Sequence, residues 1–157
     1  MTGVDRAMVT LDVGTTATAV VARLEQTEQE ARRGVRRLVW SNAGHPPPVL
    51  LTPRGEVSAL QGRSAELLLG VLPDVPRGES VAELEAGSTV LLHTDGLVER
   101  RGEALEDGFA RLARCLEELA PRDLPLDALC DAVLDRMLPQ RPEDDVALLA
   151  VRLHPQG

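Results

Sequence analysis

The sequence has 157 residues and a formal net charge of −8, with one Phe, one Trp and no Tyr. This length is typical of one domain with its own hydrophobic core, and we expect residues 1–157 to form a single domain. The acidic balance and the lack of aromatic side chains that could stack on bases argue against a nucleic-acid-binding protein. The sequence has no apolar run of about 18 residues and no signal-peptide pattern, so we expect a cytoplasmic protein without a membrane span.

The first half of the sequence predicts a short helix followed by antiparallel strands. Apolar residues recur with helical spacing from Val4 to Leu11. The later residues predict strands over 16–24 and 36–42 joined by an exposed hairpin tip over 26–33, a hairpin of strands 49–52 and 56–60, and a loop over 61–78.

The second half predicts two helices between two further strands. A strand over 88–93 precedes a helix over 104–120, whose apolar stripe comprises Leu105, Phe109, Leu112, Leu116 and Leu119. Asp123 is a candidate cap for a second helix that Pro139 would end. The last strand, over 146–153, is apolar on both faces apart from Arg152, so we expect both faces to be covered.

The two cysteines, Cys115 and Cys130, fall in the helical patterns and do not have the spacing of a metal site. We therefore expect them to be core thiols in a reducing compartment rather than a disulfide.

Polar residues interrupt the apolar pattern at three points, each of which also has a purely structural interpretation. Asp95-Gly96 follows a strand, where this dipeptide commonly makes a turn. Asp144-Asp145 is consistent with a solvated turn after Pro142. For His45, in the stretch SNAGHPPP, we favour a rigid turn that satisfies the ring nitrogens locally over a proton donor or a metal ligand.

Taken in order, the stretches SNAGHPPP, LLLG, TDGLVE and DDVALL resemble the C-terminal half of a PPM-type phosphatase. The resemblance is to the bacterial, stage-II-sporulation-E-like branch of the protein phosphatase 2C superfamily, which controls sigma-factor regulators, and it covers about residues 16–153. It implies an α+β fold, namely a partial β-sandwich of mainly antiparallel strands flanked by helices, as in a truncated PPM phosphatase.

The resemblance also implies a metal-dependent protein serine/threonine phosphatase that hydrolyses a phosphomonoester, with an anti-sigma-factor antagonist as the substrate phosphoprotein. Asp95 matches the family's Asp-Gly metal ligand and Asp144 matches the first residue of its late ligand pair, with Gly96 and Asp145 in supporting roles. The implied cofactor is Mn²⁺ or Mg²⁺, two ions in the complete family site, since hard cations prefer carboxylate oxygens. No catalytic residue beyond the metal ligands can be assigned.

Two early aspartate motifs of the family are missing, and neither Asp5 nor Asp12 has a matching context. We therefore expect the chain to begin partway through the domain and to bind metal weakly. We also expect an open sheet edge or exposed apolar face that a partner or a dimer would cover.

Two alternative functions remain open from the sequence. The first is a non-catalytic, phosphatase-like binding module, which the incomplete ligand set favours. The second is an actin-like nucleotide-binding fragment, because Asp12-Val13-Gly14-Thr15-Thr16 resembles a phosphate-binding loop of that fold. The length of the chain argues against the second alternative, since an actin-like protein needs two large lobes.

Overall fold

A computed structural model describes residues 1–11, 14–62, 67–72, 75–139 and 145–155. Its elements are, in chain order, α1 (Thr2–Thr10), β1 (Ala19–Glu25), α2 (Glu28–Arg32), β2 (Val35–Ala43), β3 (Val49–Leu51), β4 (Val57–Ala59), β5 (Ser80–Glu85), β6 (Thr89–His93), α3 (Leu105–Leu119), α4 (Leu126–Met137) and β7 (Leu148–Arg152). Two 3-10 helices, at Asp95–Leu97 and Ala120–Arg122, complete this order.

The strands form two sheets, one in the order β1-β2-β5 and one in the order β4-β3-β6-β7. Strands β1 and β2 are antiparallel, as are β3 with β4, β3 with β6 and β6 with β7. The predicted α+β class with mainly antiparallel strands is therefore confirmed. Among the described residues, none of the helices combines the length and apolar character needed to cross a bilayer.

The chain divides into two compact units, Met1–Pro47 with Gln61–Leu84 and Pro48–Leu60 with Glu85–Gly157. In the first unit β2 is the central strand, and Leu38, Val39 and Trp40 are all buried although they alternate between its two faces. Burial of residues that alternate in this way means that both faces of β2 are covered along Leu38–Trp40.

The second unit contains the core that supports the candidate site. Leu91 of β6 is fully buried against the apolar faces of α3 and α4, which contribute Leu112, Leu116, Leu129, Val133 and Met137 to the same cluster. The pattern-based prediction of two amphipathic helices is thus correct, although Leu105 is 52% exposed and does not belong to the stripe.

The predicted exposed hairpin tip over residues 26–33 connects the antiparallel strands β1 and β2, and it contains a short helix, α2. The side chain of Thr27 accepts a hydrogen bond from the backbone N–H of Glu30, and the Glu30 carboxylate accepts one from the N–H of Thr27. This reciprocal capping box satisfies two N–H groups at the start of a helix, and its sequence signature, Thr-x-x-Glu, was present in the chain.

The prediction that Asp123 caps the second helix is wrong. Asp123 has a left-handed backbone with φ of 44° and ends the 3-10 helix at Ala120–Arg122, whereas α4 begins after Pro125. Pro125 occupies the N-cap position of α4 with a φ of −53° and a ψ of 153°, and no side chain caps the start of this helix.

Strand β7 is covered on one face rather than on both. Leu148 and Ala150 pack against the core, whereas Leu149 is 56% exposed and Val151 is 38% exposed. In the described sheet β7 is the terminal strand, paired with β6 alone. In the described residues β7 therefore has both an unpaired edge and two exposed apolar side chains on one face.

Candidate metal centre

Asp95 lies at the point where the chain leaves the sheet. Strand β6 ends at His93, and Asp95 begins the 3-10 helix Asp95–Leu97. Leu97, the last residue of this 3-10 helix, and Val98 after it are 1% and 3% exposed and belong to the core cluster. Because this apolar pair is buried, the backbone that carries the half-buried Asp95 side chain is held in place.

The Asp95 carboxylate retains one oxygen for a ligand. Oδ1 accepts a hydrogen bond from the N–H of Gly96 at 2.9 Å, whereas Oδ2 has no donor within the described part of the chain. A carboxylate oxygen held this way has the chemistry that Mg²⁺ and Mn²⁺ prefer, so Asp95 fits the implied metal.

Gly96 does not supply the turn through a left-handed backbone, since it lies in the 3-10 helix and has no positive φ. The change of direction comes instead from the 3-10 helix, where the carbonyl of Asp95 accepts the N–H groups of Val98 and Glu99 at 2.8 Å each. The supporting contribution of Gly96 is its own N–H, which orients the Asp95 carboxylate.

Asp144, the second predicted ligand, lies outside the described residues. Asp145 is described and exposed, and its carbonyl accepts a hydrogen bond from the hydroxyl of Thr94 at 3.2 Å. Two residues later Ala147 also bonds to Thr94. The segment that follows Asp144 is therefore attached to the loop that carries Asp95.

Sequence reasoning missed Thr94 and Arg100, which both tie the Asp95 loop to neighbouring segments. For Thr94 a signal was available, because a hydroxyl at the end of a strand commonly bonds to nearby backbone. Arg100 donates from Nη2 to the carbonyl of Met137 at 2.7 Å. Nothing in the sequence connects two residues that lie 37 positions apart in this way.

The described residues do not gather three or more His, Cys, Asp or Glu side chains into one group that could hold a metal ion. Of the two predicted ligands, Asp95 is the one that lies in the described part of the chain. The predicted partner carboxylate, Asp144, belongs to the segment between Pro139 and Asp145.

His45 lies in the first unit in a turn closed by Asn42. The Asn42 side chain accepts from the N–H of His45 at 2.8 Å and donates to its carbonyl at 2.7 Å. The ring Nδ1 lies 3.1 Å from the hydroxyl of Thr18. These contacts agree with the structural interpretation of the His45 turn.

Asp5, which had no context in the sequence, is a buried structural carboxylate of the first unit. Its Oδ1 accepts from the N–H of Gly70 at 2.7 Å, and its Oδ2 accepts from Nε of Arg77 at 3.0 Å. The Gly70 hydrogen bond first, and then the Arg77 guanidinium, hold the pKa of Asp5 below its usual range. Asp5 thereby ties α1 to the loop around Gly70.

Comparison with known families gives a match over residues 1–154 to the model of Stage II sporulation protein E (SpoIIE). Among solved structures, the chain is 30% identical to the RsbU and RsbW domains of Rv1364c from Mycobacterium tuberculosis, with a TM-score of 0.77 over 98% of this chain and 41% of that one.

Two further structures share the fold at lower identity. One is the SiaA-PP2C domain of Pseudomonas aeruginosa, 24% identical with a TM-score of 0.65, covering 95% of this chain and 57% of that one. The other is the catalytic domain of the serine threonine protein phosphatase PstP in complex with two manganese ions, 16% identical with a TM-score of 0.57, covering 98% and 66%. The chain thus spans between about two fifths and two thirds of the solved chains that it matches.

Proposed function

Since the chain belongs to the Stage II sporulation protein E family, we propose that it contributes Asp95 and Asp144 to the metal site of a PPM-type protein serine/threonine phosphatase. The observation that carries this proposal is the Asp95 carboxylate, whose Oδ2 has no hydrogen-bond donor among the described residues, held by hydrogen bonds beside the segment that follows Asp144. The match to a phosphatase solved with two manganese ions supports Mn²⁺ or Mg²⁺ as the cofactor.

In this proposal Asp95 and Asp144 are metal ligands, and Gly96 and Asp145 support them. Asp95 and Asp144 would hold the divalent metal, which when bound would supply Lewis-acid chemistry for hydrolysis of a phosphomonoester. Asp95 offers Oδ2 to the metal, while the Gly96 N–H keeps Oδ1 oriented. Asp144 offers a second carboxylate, and Asp145 fixes the start of the segment through its carbonyl.

We further propose that the substrate is a phosphoprotein of a sigma-factor regulatory system, an anti-sigma-factor antagonist. Support comes from the family itself and from the 30% identical structure, which contains RsbU and RsbW domains. The location of the chain in the cytoplasm and its organisation as a single domain remain predictions. The family match over residues 1–154 favours this phosphatase-family fold over an actin-like nucleotide-binding fragment for the loop at Gly14.

The test is Mn²⁺-dependent hydrolysis of a small phosphate ester by the wild type and by the Asp95→Asn and Asp144→Asn variants. Each substitution keeps the size of the side chain but removes the charge, so we expect the metal-dependent rate to fall by at least about 10-fold. Asp123→Asn is a matched control, since the Asp123 side chain is 98% exposed and lies on a different loop.

Measurable Mn²⁺-dependent hydrolysis at the same rate in all four proteins would refute the assignment of Asp95 and Asp144 as metal ligands. A wild-type chain that binds Mn²⁺ through these residues without hydrolysing the ester would instead identify a non-catalytic, phosphatase-like binding module.

A further inference from the structure

We propose that Thr94 and Arg100 are positioning residues that hold the two ends of the connection between α4 and β7 against the Asp95 loop, and thereby set the affinity of the site for metal. This inference rests on the proposed function, because it assumes that Asp95 and Asp144 bind one metal centre. It assigns roles to two residues that contribute no predicted ligand.

The first anchor lies at the end of the β6–β7 ladder, where the hydroxyl of Thr94 takes the place of its carbonyl as a hydrogen-bond acceptor. Strand pairing ends at His93 opposite Leu148, and the next pair would be Thr94 opposite Ala147. One expected bond is present, from the N–H of Thr94 to the carbonyl of Ala147 at 3.0 Å. The reciprocal N–H of Ala147 donates to the Thr94 hydroxyl at 2.9 Å rather than to the Thr94 carbonyl.

Because the hydroxyl accepts the N–H of Ala147, the Thr94 carbonyl can accept hydrogen bonds from the turn that carries Asp95. That carbonyl accepts the N–H of Leu97 at 3.2 Å, which closes the 3-10 helix, and it accepts Nδ1–H of His93 at 2.9 Å. The Thr94 hydroxyl, which accepts the N–H of Ala147 in place of this carbonyl, also donates to the carbonyl of Asp145 at 3.2 Å. The Thr94 side chain therefore lets β6 leave the sheet while residues 145–147 stay attached.

The second anchor lies at the other end of the connection. Met137 is the last residue of α4, and carbonyl groups at the end of a helix lack partners within the helix. Nη2 of Arg100 donates to the carbonyl of Met137 at 2.7 Å. A guanidinium is also favourable at this position because the C-terminal end of a helix carries partial negative charge.

Together the anchors bracket the connection in which Asp144 lies. Arg100 fixes its start at Met137, and Thr94 fixes its end from Asp145 to Ala147, directly after Asp144. Both positioning residues lie within five residues of Asp95 in the chain. Groups that orient metal ligands typically change metal affinity by about 10- to 100-fold when they are removed, without contacting the metal themselves.

The experiment is calorimetric titration of Mn²⁺ into the wild type and into paired variants at each position. Thr94→Val removes the hydroxyl at nearly constant volume, and Thr94→Ser restores it. Arg100→Gln removes the charge, and Arg100→Lys keeps it. We expect the Val and Gln variants to bind Mn²⁺ about 10-fold or more weakly, and the Ser variant to remain close to the wild type.

A second readout separates positioning from general damage to the fold. In the metal-free proteins, hydrogen exchange at the Ala147 amide should be faster in Thr94→Val than in Thr94→Ser, because its acceptor has been removed. Thermal unfolding without metal identifies the variants that are folded. If Thr94→Val does not fold, the comparison of Arg100→Gln with Arg100→Lys carries the test.

The possible results distinguish this proposal from the proposed function. If Asp95→Asn abolishes Mn²⁺ binding while Thr94→Val and Arg100→Gln bind as the wild type does, the positioning roles are refuted and the metal site stands. If the wild type itself does not bind Mn²⁺, both proposals are overturned.

Discussion

At the scale of single residues, the buried carboxylate of Asp5 shows how much of a side chain's role depends on contacts that are distant in sequence. Asp5 is fully buried, and its partners Gly70 and Arg77 lie 65 and 72 positions away. Arg77 also donates to the carbonyl of Leu68. No local pattern around Asp5 indicates these contacts, so sequence reasoning left this residue without a role.

Asp5 should contribute stability that depends on pH. Its pKa lies below the value of about 3.9 expected for an unfolded chain, so the contribution is fully present above that pH and is lost as pH falls through the lowered pKa. We expect Asp5→Asn to lower the melting temperature at pH 7 by several degrees. Thermal unfolding from pH 7 to pH 3 should show this difference narrowing below about pH 4.

The exposed residue Asp123 provides the control for this experiment, since Asp123→Asn should leave the melting temperature nearly unchanged at every pH. A difference between the wild type and Asp5→Asn that stays constant down to pH 3 would contradict an ionised Asp5 held by Gly70 and Arg77.

The candidate site was also predictable only in part at this scale. The position of Asp95 after a strand could be derived from the apolar run that precedes it, and the structure places it there. The hydrogen bond from the N–H of Ala147 to the Thr94 hydroxyl depends on the register between β6 and β7, which pairs residues more than 50 positions apart. The bond from Arg100 to Met137 depends on the packing of α4 and has no signature in sequence.

At the scale of elements, local periodicity predicted most helices and strands because it reflects which face each one buries. Helices α3 and α4 follow their apolar stripes, and β6 follows its apolar run. The errors occur where a tertiary property decides the outcome. The apolar sequence of β7 indicates burial of both faces, but the packing that leaves Val90 of β6 only 4% exposed does not extend over its neighbour Val151, which is 38% exposed.

The exposed face of β7 should promote association of the isolated chain. An open edge with adjacent apolar side chains is a template for pairing with another strand. We expect Leu149→Lys, which places a charge on this face, to reduce concentration-dependent self-association in analytical ultracentrifugation. Leu105→Lys is the matched control, because Leu105 is 52% exposed on α3 and Leu149 is 56% exposed on β7.

Association that is equally reduced by both lysine variants would show a general effect of charge. Association that neither variant changes would exclude the β7 face as the contact surface.

At the scale of the whole molecule, the family and the fold class could be recognised from the order and spacing of short motifs, and the match over residues 1–154 confirms the family. The chain spans 41% of the solved chain to which it is 30% identical, so the activity of that longer protein is a proposal for this one.

The most direct measurement of the central claim is Mn²⁺ binding to the wild-type chain and to Asp95→Asn by titration calorimetry at neutral pH. If the Asp95 carboxylate is a metal ligand, the wild type should bind Mn²⁺ saturably and the variant at least about 10-fold more weakly, with unchanged thermal stability in the absence of metal. Equal Mn²⁺ affinity in the two proteins would show that Asp95 is not a ligand and would contradict the account.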